Sequence, residues 1–138
     1  MEVASGKLTD DQFYRFSGLR GTYFHIEFGA FKHQQPYMVS LMKSLKSNMD
    51  DTEPRAEILV GQDVTLAGVK AMLNITWQCG KWGADGVAPL SGLLFVRSGD
   101  NVRAMAVCDN FDEESLAVGS VIFPGGTDTI SLSDFDNM

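Results

Sequence analysis

Long hydrophobic runs are missing from this chain: its apolar stretches last only a few residues, far short of the ~20 needed to cross a bilayer. Its start, MEVASGKLTDDQ, has no hydrophobic signal-peptide core, so a cytoplasmic or virion location is expected and secretion is not. Cysteine is scarce as well. Cys79 and Cys108 are too few for a disulfide scaffold, and both read as free thiols filling small buried positions, with a bridge between them left open. Only two histidines occur, His25 and His33. Their spacing matches no standard zinc pattern and neither cysteine belongs to a C-x-x-C pair, so no metal or other cofactor is expected. The Asn74-Ile75-Thr76 triplet has sequon form but falls in a stretch that reads as a strand, where chance explains it.

Positive charge is absent from the last part of the chain. All eleven Lys and Arg lie between Lys7 and Arg103, where eleven of the eighteen acids balance them. The other seven, Asp109, Asp112, Glu113, Glu114, Asp128, Asp134 and Asp136, place the whole net charge of −7 in residues 104–138. Such a segment repels phosphate backbones and anionic lipid heads, which argues against nucleic acid and membrane as partners. It reads first as a solvated face and second as a docking surface for a basic protein.

Catalytic motifs are lacking too. Asp109 follows Cys108 and would raise its thiol pKa, disfavouring the thiolate a nucleophile needs. The acid groups Asp50-Asp51, Asp112-Glu113-Glu114 and Asp134/Asp136 lie in polar loops or the tail, where desolvation cannot tune them for acid–base work. The run from Asp109 to Glu114 puts apolar Phe111 on an alternating ligand position and lacks the loop glycine of a calcium site. Gly80, Gly83 and Gly86 are followed by no G-K-[ST], so they are no phosphate loop. No catalytic residue is assigned, and an enzyme is not expected.

What remains is ordinary globular material: 138 residues, 44% hydrophobic and 21% charged, without internal repeats. Residues 1–8 read as a flexible arm and 9–138 as a single compact β-rich domain. Thr9-Asp10-Asp11-Gln12 has the form of a capping box opening a short helix with Phe13 and Phe16, to be ended by Gly18 or Gly21. Over 22–31, Phe24, Ile26 and Phe28 alternate with Tyr23, His25 and Glu27, the period of a half-buried strand. Over 36–49, Met38, Leu41, Met42, Leu45 and Met49 recur at helical spacing, the clearest helix signal in the chain. Residues 55–60 read as a strand, 62–73 lean to strand with a helix as the alternative, 74–79 continue extended, and 80–86 form a glycine-rich loop.

The last third is the most regular. Gly99-Asp100 supplies the positive φ of a type II′ turn between strands 91–98 and 101–108, pairing Arg97 with Val102, Phe95 with Ala104 and Leu93 with Ala106. Leu94, Val96, Met105 and Val107 then share the other face, so the hairpin is apolar on both sides and must be covered on both. A second hairpin is expected from 117–123 and 129–133. The fold class is mainly β with one or two helices (α+β), an antiparallel β-sandwich or barrel.

These features point to a non-enzymatic structural or interaction protein, acting as a homo-oligomer or by docking on a larger protein assembly. Size and strand-rich style are those of virion accessories such as capsid decoration subunits. The candidate interface residues are Trp82 in its glycine-flanked loop, Met38, Met42 and Leu45 on the helix, and Leu94, Val96 and Met105 on the hairpin; a Trp82 folded back as a lid on the core and methionines filling that core are the competing uses. Two other readings stand beside this one. The first is a small enzyme or ligand-binding barrel with a pocket drawn from Tyr14, Tyr23, His25, Trp77 and Trp82; the second is an acidic protein-recognition module.

Overall fold

A computed structural model describes residues 2–3, 6–30, 35–110 and 115–138, with the backbone alone at 2, 3, 25, 29, 30 and 35. His33 and the acids at 112–114 lie outside the described residues. Strands β1 (Glu2–Val3) and β2 (Gly6–Lys7) pair with each other. Three helices follow, α1 (Asp10–Ala30), α2 (Gln35–Asp50) and α3 (Asp63–Leu73). Then come β3 (Thr76–Trp77), β4 (Gly92–Ser98), β5 (Asn101–Asn110), β6 (Ser115–Ile122), β7 (Thr129–Ser131) and a last short helix, α4 (Leu132–Asp136).

The last five strands form one antiparallel sheet in the order β3-β6-β5-β4, with β7 also on β5. The fold is thus α+β. The sheet is open, since its outer strands β3 and β4 do not pair, and helices rather than a second large sheet cover its inner face; the barrel and sandwich expectations give way to a single helix-backed sheet.

The β4–β5 hairpin has the register read from the sequence, with Arg97 opposite Val102, Phe95 opposite Ala104 and Leu93 opposite Ala106. Gly99 takes φ 59°, the left-handed conformation that its turn position requires. The second hairpin differs from expectation. Phe123 and Thr127 make an isolated bridge, but β7 pairs with residues 101–103 of β5 instead of with β6. Because β6 occupies that edge of β5 only from Met105 to Asn110, the edge nearer the turn is open for β7.

Helices replace two expected strands. Thr9 and Gln12 form the capping box: the Gln12 N–H donates to Thr9 Oγ1 (3.2 Å) and the Thr9 N–H to Gln12 Oε1 (3.0 Å). The helix that it opens runs through 22–30, where a strand is expected, and neither Gly18 nor Gly21 ends it. Gly21 allows close approach to the 80–86 loop instead, and against Gly18 it is the missing side chain of Gly83 that makes room. A Cβ on Gly21 would sit 3.1 Å from the Asp85 carbonyl oxygen, and Gly18 Cα lies 3.2 Å from the position a Cβ on Gly83 would take. Residues 63–73 are likewise helical. Asp63 stands in the first turn, the Gln62 N–H donates to Thr65 Oγ1, and Asn74 at φ 47° closes the helix in the left-handed region. Gly68 has no side chain because Met38 of α2 packs onto it, Sδ lying 2.5 Å from where a Cβ would be.

Residues 55–60, expected as a strand, are exposed and belong to no sheet. The core joins Met38 and Met42 of α2 and Ala67, Val69 and Leu73 of α3 to Val102, Ala104, Ala106, Cys108 and Val121 on the inner sheet face. Phe135 of α4 closes it, fully buried against Phe95 and Phe123.

Candidate interaction surface

Of the candidate interface residues, Trp82, Met38 and Met42 are buried within the chain's own core, so this fold does not present them to a partner. Trp82 folds back from its loop. Its indole N–H donates to the Asp109 carbonyl (3.0 Å), and its ring meets Phe13 and Tyr14 edge-on at 5.9 and 5.4 Å. Trp77 is held the same way, its ring N–H donating to the Gly86 carbonyl at 3.0 Å and its backbone N–H to Asp85 Oδ1 at 2.9 Å. Asp85 also pairs with Lys70 at 3.3 Å. The loop is therefore a lid on the core.

Cys79 and Cys108 are buried as expected but are not free thiols: they form a disulfide, with Cα atoms 6.2 Å apart. Gly119 makes this crossing possible, because a Cβ there would land on the Gln78 carbonyl oxygen. With Cys108 bridged, neither cysteine supplies a thiolate nucleophile in this state.

Leu45 and Met105 are half-buried, while Leu94 and Val96 are exposed. The last two belong to the outer face of the sheet. Register brings Leu94 beside Met105, and Val107 beside Val118; Leu116 lies two residues from Val118 on the same side. Leu94, Val96, Leu116 and Val118 keep between 41 and 65% of their surface open, so one apolar side of the hairpin is uncovered in the single chain. Leu116 and Val118 were not singled out from the sequence. Their strand's period-2 spacing is visible there, but only pairing with β5 shows which side they take.

A second exposed apolar stripe lies on α1. Phe13, Gly21, Phe24 and Phe28 face the core side, whereas Phe16, Leu19, Tyr23 and Ile26 point outward and are 57–62% exposed. These two stripes on different faces of one helix are what mimics strand alternation over 22–28. Tyr23 is hydrogen-bonded to Glu27, which keeps its phenol pKa above the ordinary value.

A groove of about 780 Å³ runs between α2, α3, the 51–61 segment and β4. Leu41, Leu45, Leu66, Val69, Leu93 and Phe95 contribute to its lining; Tyr14, Tyr23, Trp77 and Trp82 do not, so the expected aromatic pocket is not what this groove is. The side chain of His25 is outside the described residues. Arg97, on the groove wall, donates from Nη1 to the Met49 (2.6 Å) and Asp51 (3.3 Å) carbonyls at the end of α2, tying the sheet edge to the helix. Among the described residues no helix is long and apolar enough to cross a membrane. No protein-family model, curated protein or solved structure matches the chain.

Proposed function

We propose that this protein is a non-enzymatic assembly module that works by covering its apolar outer faces against other protein, either copies of itself or a larger assembly such as a virion. The outer sheet face carries the proposal. Leu94, Val96, Leu116 and Val118 stand open around Met105 and Val107 in a contiguous patch, and large exposed apolar patches mark protein contact sites. The disulfide is compatible with a virion surface as with any other oxidising location, since bridged cysteines persist there more readily than in the cytosol.

Light scattering of the purified chain tests this. The expected result is a mass above the 15.1 kDa of one chain that grows with concentration, and a smaller, concentration-independent species for Leu94→Glu/Val118→Glu. A wild-type chain that stays monomeric, joins no protein assembly and binds or turns over a small molecule overturns the reading. That outcome would favour the groove beside β4 as a ligand site, its volume falling in the usual range for one.

A further inference from the structure

We infer that two copies of this chain pair through α1, helix against antiparallel helix, along Phe16, Leu19, Tyr23 and Ile26. The inference rests on the self-assembly reading above and names its partner. The four residues follow one another at steps of three, four and three, the spacing of a and d positions in a coiled-coil seam. All four are 57–62% exposed although the opposite side of α1 is already packed on the core, so the helix is apolar on two faces. Each apolar face of a helix calls for cover, and the single chain supplies it for only one of the two.

A second copy fits the seam in spacing, area and charge. A 3.5-residue seam is filled by knobs from a helix with the same spacing, which another α1 supplies. Four large side chains open to this degree offer on the order of 500 Å² per copy, so two seams with the helix positions flanking them come to roughly 1,000 Å², the lower bound for a specific interface. Charge does not oppose the contact. The α1 segment carries three acids, Asp10, Asp11 and Glu27, against Arg15 and Arg20, whereas the −7 excess lies in residues 104–138.

Side-chain size sets the direction. The seam alternates aromatic and aliphatic residues. In an antiparallel pair Leu19 of one copy meets Tyr23 of the other and Phe16 meets Ile26, large against smaller. A parallel pair would stack Phe16 on Phe16 and Tyr23 on Tyr23, and would also align the helix dipoles.

The test uses the full chain with the sheet-face contact closed by Leu94→Glu/Val118→Glu. Light scattering is expected to give twice the 15.1 kDa chain mass for that variant, and one chain mass once Leu19→Glu/Ile26→Glu is added, with unchanged far-UV circular dichroism. Separately, Leu19→Cys and Tyr23→Cys chains mixed under mild oxidation are expected to cross-link to each other at least tenfold more than either does to itself. A sheet-face variant already at one chain mass, or single-cysteine chains that cross-link to themselves equally well, overturns the α1 pairing while leaving self-assembly intact if the wild type still associates. A monomeric wild type that also joins no larger assembly overturns both.

Discussion

Asp128 accepts hydrogen bonds from Thr129 Oγ1 (2.9 Å) and Arg103 Nε (3.0 Å). The Thr129 hydroxyl first, and the Arg103 guanidinium after it, hold its carboxyl below the usual carboxylate range. A depressed folded-state pKa adds stability that is complete above the unfolded value and is lost as pH falls through the folded one. Asp128→Asn is therefore expected to lower the thermal midpoint slightly at pH 7, by an amount that vanishes below about pH 3, as melts at both pH values would show. At this scale much was legible in the sequence. The Thr9/Gln12 capping box and the cross-strand partners around Gly99-Asp100 are set by local chemistry, and local chemistry is written in adjacent residues. For Trp82 the sequence left interface anchor and core lid evenly open, because the partners that decide it, Phe13, Tyr14 and Asp109, are distant in the chain.

Among the elements, α1 and α3 show why glycine misleads when read as punctuation. Gly18, Gly21 and Gly68 each weaken a helix by roughly 1 kcal/mol on intrinsic preference. Gly21 and Gly68 sit where a loop or another helix comes too close for a side chain, Gly18 has open space beside it, and tertiary packing of the helices outweighs the cost. The opposite holds for residues 55–60, whose strand preference finds no partner in the sheet. Helix α2 was read to within a residue at each end, because its methionines and leucines recur on the side that packs on the core. The disulfide joins the segment after β3 to β5 across a sequence separation of 29 residues. A loop of that length implies about 3–4 kcal/mol of stabilisation from restricting the unfolded chain. Cys108→Ser, or a reducing agent, is expected to lower the thermal midpoint by about 10 °C.

For the molecule as a whole, the patterning of 36–49 and of the 91–108 hairpin carried the coarse α+β class but neither the number of helices nor the layering, since which sheet face the helices cover depends on where α2, α3 and α4 return. The uneven charge has a consequence at this scale. Two or more copies bring their acidic 104–138 regions into one particle, so self-association is expected to strengthen as salt rises from about 20 to about 300 mM and the Debye length shortens. Sedimentation at both salt levels checks this; association that weakens with salt would place ion pairs at the contact instead. Strand β4 has only β5 beside it among the described residues, and the unpaired 55–60 segment runs near its open edge. A contact through α1 is isologous: the same patch is used twice, a two-fold axis satisfies both, and growth stops at a pair. Laying 55–60 of one molecule along β4 of the next would be heterologous, leaving a fresh donor and a fresh acceptor at the two ends, so that mode of joining makes a filament with no natural length.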